Sequence, residues 1–243
     1  MATPVLYLQT NFVLNDHRRI VGTREPEPGG PVPLFTIIRD ATSCIWAIRA
    51  DIPDHLAVEL GRLAQDEKPL SDFRVPPTHS DRYRALVGGF VSAGPAFEFP
   101  ERIDRPVGVQ TIEDEEPLIR HFRGWRRGEI AEGRSPVMGI VQDCHPVSIC
   151  FCARRSGEAA EAGLETAEQY RGRGYGPRVA AAWALSVRAS GRIPLYSTSW
   201  DNIASIEVAR KLKLRMYACW WSLQDSQTSR GLLSRTFRAR TEV

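Results

Sequence analysis

The segment from Ala160 to Gly191 constrains the fold of this chain more than any other, because strand, glycine loop and helix signals follow one another without a gap. Ala160-Glu161-Ala162-Gly163-Leu164-Glu165-Thr166 alternates with the period of two of a half-buried strand. Arg178 to Ser190 is rich in Ala and Leu, side chains that lose little freedom in a helix. Pro177 is expected at the first helical position, where a missing N–H costs nothing. Gly191 is expected to supply the left-handed residue that ends the helix.

Between strand and helix lies Gln169-Tyr170-Arg171-Gly172-Arg173-Gly174-Tyr175-Gly176. Three glycines at alternating positions let the backbone curl with its N–H groups inward, and no Cβ blocks a ligand. The helix N-terminus adds partial positive charge, and Arg171 and Arg173 add full charges. Such a loop can hold a polyphosphate, and a pyrophosphate fits it well. The glycines alone leave two other readings open: a tight turn, or an Arg-Gly segment against nucleic acid.

Gln169-x-x-Gly172-x-Gly174 resembles the Q/R-x-x-G-x-G/A signature of the GNAT superfamily, the acyl-CoA-dependent N-acyltransferases. A P-loop would need Lys and then Ser or Thr after its second Gly, where this chain has Tyr175-Gly176. A dinucleotide fingerprint would need an acid at the end of the next strand, and Ile193 to Thr198 contains none. A second block, Leu195 to Leu214, reads as a strand, a cap at Asp201 or Asn202, and a helix with Ile203, Ile206 and Leu212 toward a core. It resembles the family's next strand and Asn-led helix. The resemblance covers roughly the C-terminal half. It implies an α/β (α+β) fold with a mixed, mostly antiparallel sheet flanked by helices.

What the resemblance implies about chemistry is specific. Acetyl-CoA is the expected co-substrate, an amine the acceptor, and no metal is needed. The strand ending at Thr166 should splay from its neighbour, so that the main chains of Leu164 and Thr166 hold the pantetheine. Gln169, Arg171, Gly172, Arg173, Gly174, Tyr175 and Gly176 are assigned to the phosphates, and Asn202 and Ser205 to the CoA side of the next helix. The attacking amine must be neutral, so a base must take its proton, and the departing thiolate may call for an acid. Glu161 is the expected base, since members of the family often carry a Glu on this strand. A Glu that is merely exposed or salt-bridged is the competing reading. Many members also carry a proton-donating Tyr on the Asn-led helix. Here Ala209 stands at that place, and Lys213 replaces the Gly of the helix end. Ser205 and Tyr217 are the replacement acids, with Tyr196 a third choice, or the thiolate leaves unprotonated.

The rest of the chain is less eloquent. Residues 1–103 are expected to form an α+β accessory domain, 104–223 the acyltransferase domain, and 224–243 a polar, basic surface tail. Leu34–Ile38 and Cys44–Ile48 read as a hairpin, and Asp51-Ile52-Pro53 opens a helix through Gln65 with Leu56, Leu60, Leu63 and Ala64 on one face. A shorter helix follows near Asp81–Val87. Gly94 to Pro100 reads as a loop carrying two aromatics that need burial. Val107–Ile112 reads as a strand and Asp114–Phe122 as a helix. Pro136–Val141 and Val147–Ala153 read as an antiparallel pair turning at Asp143–Pro146. His145 beside Cys144 is explained by that turn better than by a nucleophile. Met216–Leu223 reads as a final strand.

A net charge of +3 is too small to imply nucleic acid or membrane binding. No apolar run reaches the roughly 18 residues of a membrane helix. No secretory signal is legible at Met1-Ala2-Thr3-Pro4, and the five cysteines lack paired metal spacing. A cytoplasmic protein with reduced thiols is expected, and a homodimer is left open. The leading function is N-acetyl transfer from acetyl-CoA to a small-molecule or protein amine by direct attack in a ternary complex. The rival is a non-catalytic acyl-CoA-binding sensor or interaction module, which the absent Tyr favours. Nucleic-acid binding through Arg171, Arg173 and the Arg123–Arg134 stretch is a weaker third.

Overall fold

A computed structural model of the 243-residue chain describes residues 1–225 apart from Pro28, Ser71 and Arg123. Residues 226–243 of the expected tail, and the first arginine of the 123–134 stretch, lie outside the described residues. Helix α1 (Pro4–Asn11) starts at Thr3, whose hydroxyl accepts from the Leu6 N–H at 3.1 Å. A small hairpin of β1 (Phe12–Leu14) and β2 (Ile20–Thr23) follows. Strands β3 (Phe35–Arg39) and β4 (Cys44–Ile48) pair antiparallel, their turn held by the Asp40 carboxylate, which accepts from the Thr42 and Ser43 N–H groups at 2.7 and 2.6 Å. Helix α2 (Asp54–Gln65) buries Ala57, Leu60, Leu63 and Ala64 at helical spacing, and α3 (Ser80–Val87) buries Tyr83 beside them. Then come β5 (Phe90–Glu98), β6 (Gln110–Thr111), α4 (Glu116–His121), β7 (Met138–Gln142), β8 (His145–Arg155) and β9 (Ala159–Thr166). The chain continues through α5 (Tyr175–Ala189), β10 (Ile193–Ser197), α6 (Ile203–Lys211) and β11 (Arg215–Gln224).

Nine strands form one sheet in the order β4-β3-β11-β5-β10-β9-β8-β7-β6. Among the described residues its one parallel pairing is β9 with β10; the remaining pairings are antiparallel. Helices α2, α3, α5 and α6 cover one face, where Trp183 of α5 is fully buried against Phe99 at 6.0 Å between ring centres. Helices α1 and α4 cover the other face. Ala180, Ala181, Ala182 and Ala184 keep α5 thin enough to lie close on β8 and β9.

The sheet runs across the expected boundary at residue 103. Strand β5 lies between β10 and β11, and β3 pairs with β11, so strands from both sides of that boundary share one hydrogen-bonded layer. Several local expectations are corrected. The segment 94–100 is not a loop: Gly94 and Pro95 lie inside β5, and Phe97 and Phe99 are buried. Pro95 is tolerated because its carbonyl accepts from the Thr198 N–H just past the end of β10. A strand residue turns its N–H to the same side as its carbonyl, so the donor that Pro95 lacks falls where β10 has ended. The strand expected at 107–112 shrinks to Gln110–Thr111, and Val107 is exposed. Helix α5 begins at Tyr175, so Pro177 is its third residue, still within the turn whose N–H groups have no helical partner. Ile203 points to solvent at 70% exposure, and α6 instead turns Val208, Ala209 and Leu212 inward. Helix α1 and the β1–β2 hairpin were not anticipated; Thr3-Pro4 is a cap-and-first-turn signal of the kind that starts a helix.

Candidate active site

The site begins with a pairing that stops. Strand β10 meets β9 only at Ile193↔Ala159, Pro194↔Ala160 and Leu195↔Glu161. From Ala162 to Thr166 that edge of β9 has no strand partner among the described residues, and its backbone groups face an opening. A cleft of about 540 Å³ fills the opening, walled by Leu164 and Thr166, the loop at Arg171–Pro177 and the first turns of α6.

The loop supplies the polar floor. Gly172 and Gly174 hold left-handed backbones with φ of 76° and 74°, a region costly for side chains with a Cβ, and nothing lies within 4 Å of where their Cβ atoms would be. Gly174 is the residue before α5, and no side chain caps that helix. The N–H groups of Tyr175 and Gly176 therefore have no side-chain cap, at the positive end of a 15-residue helix that borders the cleft. Arg171 lines the cleft too and donates from Nε to the Thr166 carbonyl at 3.3 Å, tying the loop to the strand end. Tyr175 lines it as well, its hydroxyl accepting from Gln142 Nε2 at 2.6 Å. Gly176 lies beside Leu164 and Val208, where a Cβ would make ordinary contact. This donor set fits a pyrophosphate with an extended amide chain running along β9.

Asn202 caps α6, its side-chain oxygen accepting from the Ser205 N–H at 3.1 Å. Ser205 is on the cleft wall, and its hydroxyl is 2.5 Å from the hydroxyl of Tyr196 on β10. Burial raises the Tyr196 phenol well above the usual range, so the pair keeps its proton at neutral pH. Ala209, at the place of the absent Tyr, is buried.

Glu161 and Tyr217 are outside the cleft lining. Glu161 is the last residue of β9 paired to β10, is 3% exposed, and faces α1. Neither of its carboxylate oxygens makes a hydrogen bond of full geometry, and Ser197 and Asn11 are the polar groups that approach them. Burial lifts its pKa from 4.5 to about 7, while Ser197, Arg154 and Asn11 pull it partway down. That value suits a proton acceptor at neutral pH. Tyr217 is the extra residue of a bulge in β11, between Met216 and Ala218, and lies in the cluster under α1. Its hydroxyl is buried without a partner, and burial, followed by the Glu161 charge, raises its phenol strongly. The side chain expected to serve the thiolate therefore stands beside the expected base.

Gln169 and Arg173 also lie outside the lining. Arg173 donates to the Gln169 carbonyl at 3.1 Å and covers the Tyr170 ring. Arginines of the 126–134 stretch are engaged within the chain: Arg126 and Arg134 with buried Glu129, and Arg127 with Glu116. Sequence reasoning missed Tyr7 and Asn11 on α1, and Arg154 and Ser197 beside Glu161. Among the described residues, no group of three or more His, Cys, Asp or Glu gathers to hold a metal ion. No helix among them is long and apolar enough to cross a membrane.

The same segment matches a known family model, GNAT acetyltransferase, over residues 110–220. Residues 110–220 are a GNAT-superfamily domain. Among solved structures, a conserved protein of unknown function from Staphylococcus epidermidis is 11% identical at a TM-score of 0.51, aligned over 93% of this chain and 98% of its own. A GCN5-related N-acetyltransferase-like protein from Streptococcus suis is 14% identical at a TM-score of 0.48, over 89% of each chain. A GNAT-family protein from Novosphingobium aromaticivorans is 18% identical at a TM-score of 0.46, over 56% of this chain and 66% of that one. At such identities the likeness is one of fold. No curated protein matches the chain. The GNAT match and the mostly antiparallel, helix-flanked sheet support acyl transfer in general.

Proposed function

We propose that this GNAT protein is an N-acetyltransferase that moves an acetyl group from acetyl-CoA to an amine, of a small molecule or a protein, by direct attack in a ternary complex. The observation that carries the reading is the end of the β9–β10 pairing at Glu161. It opens free strand backbone onto a cleft whose floor is the uncapped N-terminus of α5. The pyrophosphate is assigned to the N–H groups around Gly172, Gly174 and Gly176, with Arg171 beside them. The pantetheine is assigned to the main chains of Leu164 and Thr166. The neutral amine nitrogen attacks the thioester carbonyl, the C–N bond forms and the C–S bond breaks. Glu161 takes the amine proton through Ser197 or a water. The thiolate receives a proton from the Ser205–Tyr196 pair. Five free thiols suit a reducing compartment such as the cytoplasm.

The sensor reading draws on two observations: Ala209 offers no phenol, and Glu161 is shut away from the cleft. Calorimetric titration of acetyl-CoA into wild type and Gly174→Glu tests the site, since the new side chain puts a negative charge where the phosphates are assigned. Binding that is lost in a variant with unchanged circular dichroism supports the CoA site; no binding by wild type removes the proposal. Turnover of acetyl-CoA stimulated by one class of amine then separates the enzyme from the sensor, which binds without turnover.

A further inference from the structure

Side chains from outside the residues matched to the family reach the surroundings of Glu161, with Tyr7 and Asn11 of α1 among them. Strand β8 pairs Cys152 with Ala162 and Arg154 with Glu161, so Ala153 is an extra residue, the site of a bulge. Cys152 packs on the α5 side of the sheet. Without the bulge Arg154 would follow it there, because side chains two apart in a strand share a face. With the bulge, Arg154 turns to the α1 side, opposite Glu161. It is held there from the N-terminal segment: Nη1 donates to Asn11 Oδ1 at 3.1 Å, and Nη2 pairs with the Glu25 carboxylate. Asn11 is itself fixed, since its side-chain nitrogen donates to the Tyr7 carbonyl at 2.9 Å and the residue is 1% exposed.

We propose that Arg154, held by Asn11 and Glu25, is a positioning residue that sets the charge state of Glu161, so that α1 and the segment after it form part of the catalytic apparatus. This rests on the acyltransferase reading of Glu161. The physical logic is a balance. A carboxylate this buried, with only Ser197 and Asn11 approaching it, would hold its proton more tightly still without a nearby positive charge. A guanidinium in full contact would form a fixed ion pair, too weak a base. Arg154 shares its positive charge with Glu25 and Asn11, so it exerts an intermediate pull. The elements around the carboxyl contribute Tyr7 from α1, Ser197 from β10, Tyr217 from β11, and Glu98 from β5 behind Tyr217, while Tyr196 acts from the opposite face of the sheet. Of the groups acting on Glu161, Arg154 is the cation.

Carbon-13 NMR of the ligand-free protein, with labelled Glu carboxyls and Glu161 identified by its loss in Glu161→Gln, reads the charge state without any substrate. Arg154→Met should raise the Glu161 midpoint by about one pH unit or more, a tenfold change in proton affinity. Asn11→Ala, which keeps the Arg154 charge but removes the amide that lies against both groups, should move it the same way by less, and it serves if Arg154→Met does not fold. The pH at which amine-dependent kcat/KM rises should shift by the same amount, whereas a merely structural role would lower the rate equally at every pH. A midpoint that stays put in folded Arg154→Met, or in Asn11→Ala where the first variant does not fold, overturns the proposal. That result leaves the acyltransferase reading untouched, because acetyl-CoA binding and turnover test it separately.

Discussion

Replacing Glu161 by Gln should change stability by an amount that depends on pH, and the dependence can be worked from the structure. The Glu161 carboxyl goes from 4.5 to about 7 on folding, chiefly because burial disfavours its charged form. The folded protein therefore holds this proton more tightly than the unfolded chain does. Its contribution is fully present below about pH 4.5 and is lost as pH rises through about 7. A shift of that size is worth roughly 3 kcal/mol at 1.36 kcal/mol per unit. Gln has the same shape and does not titrate. It leaves an unpaired amide in the cavity of the carboxyl, an offset that does not vary with pH. Urea unfolding of both proteins, followed from about pH 4.5 to about pH 8.5, should show the variant gaining on wild type by roughly 3 kcal/mol across the range. Over the same window the wild-type kcat/KM for the amine should rise, and the variant should lose about 10²–10⁴ in rate together with that limb. A stability difference that is flat with pH would refute the reasoning, since Glu161 would then be ionised or protonated alike in both states.

Two further predictions follow from other contacts. Ser205→Ala and Tyr196→Phe should each lower kcat by about tenfold or more while leaving acetyl-CoA affinity nearly unchanged, and the double variant should lose little beyond either single one because the two hydroxyls act as a pair at 2.5 Å; steady-state kinetics with calorimetry checks this, and additive losses count against a shared proton path. Gly94→Ala should destabilise by about 3 kcal/mol or more in urea melts, because its Cβ would sit 1.8 Å from the Thr198 carbonyl oxygen; a neutral result would mean that β5 and the end of β10 are not so close.

Much of the C-terminal half was legible because its signals are local. Period-two alternation marked β9, the Ala-rich run marked α5, and Asn202 marked the start of α6. The glycine loop could be read because the left-handed backbones at 172 and 174 demand that residue type. The cleft lining contains Leu164, Thr166, Arg171, Gly172, Gly174, Tyr175, Gly176, Asn202 and Ser205, all of which lie in or beside the two local motifs. The place of Tyr217 is not legible locally, since a bulge in β11 puts both Tyr217 and Ala218 on the α1 side, and one inserted residue leaves no mark in the local pattern.

The sequence by itself determined β9, the glycine loop, α5 and the start of α6, since propensity, turn chemistry and hydrophobic period act over a few neighbouring residues. Tertiary structure alone decided that β5 enters the sheet between β10 and β11, and that α1 lies over Glu161. It also decided that the bulge at Ala153 turns Arg154 toward Glu161. Strand order depends on contacts between residues far apart in the chain, and the proton affinity of a carboxyl depends on what buries it. Neither quantity belongs to any short stretch of sequence.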